Sequence, residues 1–442
     1  MRKSYGVILL LCLNGVANAH IGPKKVLRIG FNPQLDERPE VVIQNFGLFN
    51  WDGNEFKWLC DEAMTPVGGL NAVTLVSRDG RKMLVGDGAG LYSSGDSGCN
   101  FQPYGPPFSE HNIGQIEASR ENPSDVLVST QTLGVPNEVF HSLDGGASWR
   151  SLNLIIEGRV RRLLRSQSNP AYIYLVHAGG GYRSVDGGYS FDGFPMGPPE
   201  SNATGVDFDL LKIHPENPNI VYAVISGFPT STLVQTTDAG ASWRELSVLD
   251  DIPESIAVMD SEHLILAMPV GGLKSSTDGG ITWAPIESPL TEGWLGCLTK
   301  GRMGKLWACV NRHPTRLLVS STDQGMTWQD EINLSLANVK MSTRCPLGSQ
   351  TQSSCSENCD DYPMTCESDS TDAGVRLPDA QDEDAGQPVR NAETTRKTDG
   401  GCSVYSPDTV HKSSPSHWIM TLCVLTLASA SRRRKIQSQE TK

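Results

Sequence analysis

Short apolar runs recur along the chain from about Val26 to Lys340, each bounded by Gly, Pro, Asn or Asp. Asp125-Val126-Leu127-Val128-Ser129-Thr130 and Ile220-Val221-Tyr222-Ala223-Val224-Ile225 are typical. Runs of this length and composition predict β-strands. Between neighbouring runs stand Glu121-Asn122-Pro123, Ser168-Asn169-Pro170 and Pro215-Glu216-Asn217-Pro218. Asn-Pro starts turns and Pro cannot donate to a ladder, so these mark connections between successive strands. Leu211-Lys212-Ile213 and Ile220-Val221-Tyr222-Ala223 thus read as the first and second strands of one unit.

A second phrase punctuates the same runs six times: a Ser or Thr, then Asp, Gly and an aromatic ring at fixed offsets. The copies are Ser94, Asp96, Gly98, Phe101; Ser142, Asp144, Gly146, Trp149; Ser184, Asp186, Gly188, Phe191; Thr236, Asp238, Gly240, Trp243; Ser276, Asp278, Gly280, Trp283; and Ser321, Asp323, Gly325, Trp328. Steps between the aspartates are 48, 42, 52, 40 and 45 residues, the length of a four-stranded propeller blade. Each phrase reads as a hairpin turn plus an anchor. Asp and Ser/Thr oxygens accept hydrogen bonds from amides one or two residues on, and Gly supplies a positive φ. The aromatic residue opens the next strand and buries its ring beside a neighbouring unit. Asn50-Trp51-Asp52-Gly53, with Trp58, is a degenerate copy ahead of the six, giving seven units of about 45 residues.

This S/T-x-D-x-G-x-x-W/F phrase resembles the Asp-box of bacterial-neuraminidase-type (BNR) repeats. The resemblance implies an all-β fold, a seven-bladed β-propeller of four-stranded blades. It also implies that each box is a structural turn between the third and fourth strands, away from any active site.

The ends carry different signals. Arg2 and Lys3, the apolar stretch Val7 to Leu13 and Ala17-Asn18-Ala19 read as an export signal cleaved after Ala19 (residues 1–19). The propeller is expected over residues 24–343 and a Cys-rich exit segment over 344–368. Between Pro346 and Gly400 stand twelve acidic and four basic residues, a net −8 of the chain's −13. Such composition cannot bury enough apolar surface to fold, so residues 369–416 read as a disordered acidic stalk. Gly401-Cys402, an apolar segment at 417–431 expected as a short helix, and Arg432-Arg433-Arg434-Lys435 within a basic tail (432–442) follow. Together they resemble the myxobacterial C-terminal sorting tag (MYXO-CTERM), which implies processing by sorting machinery near Cys402 and a lipid there. An ordinary single-span membrane anchor is the alternative. Either places the propeller outside the cytoplasm, at the cell surface or outer membrane.

Of eleven cysteines, Cys12 and Cys423 fall in the terminal apolar segments and Cys402 in the tag. Eight remain, an even number that suggests disulfides in an exported chain. Cys297 and Cys309 flank a hairpin and can bridge it; Cys60 and Cys99, in adjacent units, can pair. Cys345, Cys355, Cys359 and Cys366 form a group at the propeller exit with three possible connectivities. Their spacing lacks the paired knuckles of a zinc site, so no metal or other cofactor is expected.

Candidate chemistry is thin. A sialidase-like site needs three arginines on the substrate carboxylate, a Tyr-Glu pair and an Asp acid/base. The chain offers Leu27-Arg28-Ile29-Gly30 where that family shows Arg-Ile-Pro, and Arg159, Arg161 and Arg162 near the start of one unit's first strand. Arg159 and Arg161 can share a strand face, more simply as a solvated or salt-bridging strand. Xyloglucanase-type enzymes carry the same boxes on paired propellers. His177 before Gly179-Gly180-Gly181 reads as a strand-end turn rather than a phosphate loop. The acidic balance gives no case for nucleic-acid binding. Asp-box propellers also resemble assembly factors and sortilin-type receptors that hold a protein or peptide. The leading expectation is a non-catalytic binding or scaffold propeller for a protein or glycan ligand, the alternative a sialidase-like extracellular glycoside hydrolase.

Overall fold

A computed structural model describes residues 25–357 apart from 32–38, 45–46, 52–54, 66–69, 78, 110, 202–206, 270–271, 288–293, 302, 312, 314, 335–338 and 341–344. Six antiparallel four-stranded meanders follow one another along the chain, at residues 72–103, 113–151, 160–194, 208–249, 255–286 and 294–333. We call them the first to sixth blades. A further sheet holds Lys25–Phe31, Pro39–Gln44, Gly47–Trp51 and Phe56–Leu59, with Val339–Lys340 added at its edge. The four-stranded blades therefore number six, not the expected seven. The chain leaving the sixth blade returns to pair in parallel with Phe56–Leu59, Val339 opposite Phe56, so the N-terminal unit becomes a five-stranded closing sheet.

Apolar clusters fill the junctions between successive sheets. Leu48, Leu59 and Met64 of the closing-sheet region meet Val73, Met83 and Val85 of the first blade. At the opposite seam, Phe49, Phe56 and Trp58 meet Trp307, Leu318 and Ile332 of the sixth blade. Trp58 and Trp307, the bulkiest fully buried side chains, both lie at this seam. Burying a large apolar side chain contributes about 1.5–3 kcal/mol, so closure is well supported by packing. The toroid is a β-propeller.

The Asn-Pro segments connect first and second strands. Asp125 donates its amide to Asn122 O at 2.9 Å, Tyr172 to Asn169 O at 3.0 Å and Ile220 to Asn217 O at 3.1 Å. The six Asp-Gly phrases connect third and fourth strands. In each, the Ser or Thr hydroxyl donates to the Asp carboxylate and accepts the Gly amide four residues on; for Thr236 these are 2.7 Å to Asp238 and 2.8 Å from Gly240. The Asp carboxylate accepts amides three or four residues ahead, Ser148 to Asp144 at 2.8 Å and Thr282 to Asp278 at 2.9 Å. The expected reach of two residues holds for the hydroxyl, which accepts the Asp amide, as Thr236 does from Asp238 at 3.3 Å. For the carboxylate it is corrected to three or four residues, across a turn in which Gly146 and Gly280, at φ +87° and +94°, each follow another left-handed residue. The turn also bonds the blade's other turn at that end, Ala239 N to Asn219 O at 3.0 Å. The aromatic rings enter the junction with the preceding sheet: Trp243 packs with Phe194 and Phe208, and Trp149 with Phe108 at 5.0 Å between centroids.

Three disulfides form among the described residues. Cys297–Cys309 bridges the first two strands of the sixth blade, with Cα atoms 5.5 Å apart. Cys60 and Cys99 do not pair with each other. Cys60 joins Cys355 and Cys99 joins Cys345, across 295 and 246 residues. The exit segment reaches them because helix Gln350–Glu357 docks on the first blade's Asp-Gly turn. Gln350 accepts the Phe101 amide at 3.0 Å, and Thr351 N donates to Cys99 O at 3.1 Å. Two of the four exit cysteines are thus bound to the ring rather than to one another. Cys359, Cys366, Ala19, Cys402, the stalk, the apolar segment and the basic tail lie outside the described residues.

Candidate functional site: the axial channel

The first strand of each blade lines the central axis and ends in the same way. The residue after it donates its amide across the following turn: Val76 to Lys82, Ser119 to Asp125, Ser166 to Tyr172, His214 to Ile220, Met259 to His263 and Gly301 to Lys305, at 2.8–3.0 Å. Two residues before these donors lies one layer of equivalent positions: Thr74, Glu117, Leu164, Lys212, Ala257 and Thr299. All but Ala257 line a cavity of about 250 Å³ at this mouth, joined by Arg28 of the closing sheet, Arg120 and Arg165. In a meander, the turns between third and fourth strands lie at this same end, so it is the Asp-Gly-turn mouth.

The charges here are unequally matched. Arg165 is consumed by Asp125 in the preceding blade, through bonds of 2.7 and 2.6 Å. Asp125 also accepts His141 Nε2 at 2.5 Å. Burial pushes the Asp125 pKa up, but the His141 and Arg165 bonds outweigh it and hold the carboxyl below its usual value. Arg28 donates to Ile116 O at 2.5 Å and stands 3.5 Å from Glu117. Lys212 has no hydrogen bond or ion pair among the described residues. Burial, reinforced by the Arg120 and Arg28 charges and opposed by Glu117, pushes its ammonium pKa down.

The opposite mouth is an amide and guanidinium surface. Asn71, Gln115, Gln131, Arg159 and Arg161 line a cavity of about 430 Å³. Arg159 bonds Gln131 Oε1 at 3.3 Å, and Gln115 Nε2 donates to Arg161 O at 3.2 Å. Arg159 and Arg161 do share a face. Arg162 turns away at a bulge and pairs with Asp209 of the next blade, 2.9 Å. Arg28 lies at the other mouth, so the four arginines do not converge. His177 is buried beside Tyr182, its Nδ1 accepting the Gly179 amide at 3.2 Å, which makes the triple-glycine stretch a strand-end turn. No group of three or more His, Cys, Asp or Glu residues fit to hold a metal occurs among the described residues.

The Asp-Gly-turn residues lie at the outer part of the blades and touch neither cavity. Sequence reasoning missed Lys212, Glu117, Thr74 and Thr299. The one signal was a lysine inside the apolar stretch Leu210-Leu211-Lys212-Ile213.

No protein-family model matches the sequence, and no curated protein matches it. Solved structures do resemble it. The GH74 xyloglucanase from Xanthomonas campestris is 16% identical with a TM-score of 0.50, the match covering 71% of this chain and 55% of that one. A YCF48 structure bound to D1 peptide is 16% identical at TM-score 0.44, covering 59% and 82%. The extracellular domain of a putative one-component system from B. thetaiotaomicron is 14% identical at 0.48, covering 67% and 38%. The xyloglucanase likeness shows a β-propeller fold.

Proposed function

We propose that this chain is an exported Asp-box (BNR-type) propeller that serves as a non-catalytic binding or scaffold module for a protein or glycan ligand at the cell envelope. One observation carries the reading: among the described residues that line the two channel cavities, Glu117 is the single carboxylate. Glycoside hydrolysis ordinarily takes two carboxylates about 5–10 Å apart, and Glu117 faces Arg28 instead. Three disulfides fit an oxidising compartment. The signal cleaved after Ala19 and an anchor at Cys402, lipid-bearing or beside an intact span, complete the reading. YCF48 bound to a peptide and the GH74 enzyme frame its two outcomes.

The test is a panel of fluorogenic glycosides, including a sialoside and xyloglucan oligosaccharides, offered to the purified chain. No turnover is expected. Hydrolysis abolished by Glu117→Gln at unchanged melting temperature overturns the reading in favour of a glycoside hydrolase. In cells, Cys402→Ser releases the protein from the envelope fraction; unchanged fractionation removes the lipid anchor.

A further inference from the structure

We infer that the Asp-Gly-turn mouth of the channel is an oxyanion socket: Lys212, flanked by the Thr74 and Thr299 side chains and by Arg28 and Arg120, receives one carboxylate, sulfate or phosphate group. The inference goes beyond the binding role proposed above, and stands whether or not the propeller is catalytic.

Size sets the class of ligand. A cavity of about 250 Å³ is smaller than the pockets that enclose drug-sized molecules, 300 Å³ and upward. It has room for one compact head group. Charge sets its sign. Among the described lining residues four are cationic and one, Glu117, anionic. Arg165 is neutralised by Asp125. Glu117 stands 3.5 Å from Arg28 and acts on Lys212 only through its field, so that Lys212 makes no hydrogen bond or ion pair among the described residues. A half-buried ammonium without a hydrogen-bonded acceptor is costly unless an anion or water accepts from it.

Hydrogen bonding points the same way. No bond of the Thr74 or Thr299 hydroxyl occurs among the described residues, and both occupy positions equivalent to Lys212 on other blades. One ammonium and two hydroxyls on three separate strands form a donor set that a tetrahedral or planar oxyanion can satisfy from the axis. The depressed lysine pKa accords with this vacancy of charge partners, because a bound anion would restore the ammonium. Rigidity favours selectivity: each donor sits on an inner strand closed by a backbone bond, with no loop to rearrange.

The anion can come free in solution or on the side chain of a polymer, and titration of the full-length chain separates the two. Calorimetry at low salt uses sodium sulfate as the free anion and pentaglutamate with blocked ends as the chain-borne one. Saturable 1:1 binding is expected for at least one; sulfate alone identifies a small free oxyanion and pentaglutamate alone a chain-borne one. Lys212→Met lowers affinity about ten- to a hundred-fold, as loss of a charged hydrogen-bond donor does. Lys212→Arg stays within about three-fold of wild type, and Lys274→Met, at a surface pair with Asp250, leaves binding unchanged.

A wild-type measurement guards against a misfolded variant. Mass-spectrometric mapping of amine acetylation shows the bound anion protecting Lys212 but not Lys274. Absence of saturable binding by either probe, Lys212→Met binding like wild type, or equal Lys212 acetylation with and without the anion overturns the socket. Glycoside turnover would sink the non-catalytic reading yet leave anion binding in place, and lost anion binding would leave that reading standing.

Discussion

The six blades and the closing sheet solve one problem, fixing the fourth strand to the third, by different means. In the blades a hydroxyl, a carboxylate and a glycine hold the turn within about seven residues of sequence, as at Thr236, Asp238 and Gly240. The closing sheet has only the degenerate phrase at Asn50-Trp51-Asp52-Gly53. It is secured from far away: Val339–Lys340 lies along its edge, and Cys60 is bonded to Cys355. Local joints suffice where the chain passes directly from one blade to the next. The place where the ring meets its own beginning needs contacts that span the whole sequence, and these carry the larger loop-closure entropy.

The difference can be broken most forcefully at the clasp. Cys345→Ser with Cys355→Ser is expected to cost about 3–5 kcal/mol of unfolding free energy, because the loops it frees are 246 and 295 residues apart in sequence. Removing Cys297–Cys309, only 12 residues apart, is expected to cost less, about 2–3 kcal/mol. Guanidinium titrations of the two variants decide it; equal losses would show that ring closure does not depend on the clasp.

A single blade joint is worth less. Thr236→Val keeps the shape but leaves the buried Gly240 amide unpaired, for an expected loss of about 1–2 kcal/mol. An unchanged midpoint in the same titration would make the phrase a marker of the turn rather than its cause.

Acid gives the smallest and most selective effect. The Thr282 hydroxyl and amide hold the Asp278 pKa at about 2, and those of Thr327 do the same for Asp323, against 3.8 for the free group. Depressed carboxyls stabilise the folded chain fully above about pH 4, and that contribution is lost as pH falls towards about 2. Melting curves at pH 5, 3 and 2 should show a steeper fall for the wild-type chain than for Asp278→Asn. Parallel falls would contradict the assignment.

What could be read in the sequence follows the same division. The Asn-Pro and Asp-Gly turns are local, so Asn122, Asn169 and the six boxes appeared in the text before they appeared in space. Partners for Cys60 and Cys99 lay in an exit segment whose helix docks on Asn100 and Phe101, a contact no local pattern announces. The channel layer was hidden for another reason. Bulges in the inner strands, between Val160 and Arg162 and between Leu210 and Lys212, interrupt strict alternation. Which face Lys212 presents could therefore not be counted out along the strand, and in the strand of Glu117 the register slips between Ile113 and Gln115.

The two long-range bridges also decide how the molecule bears mechanical load. Tension applied to the polypeptide beyond Glu357 meets Cys355 and Cys345 first, and passes through covalent sulfur into Cys60 and Cys99. The sixth blade lies behind that shunt and is spared from unzipping strand by strand. A pull on the ring from that side would thus leave its final sheet in place.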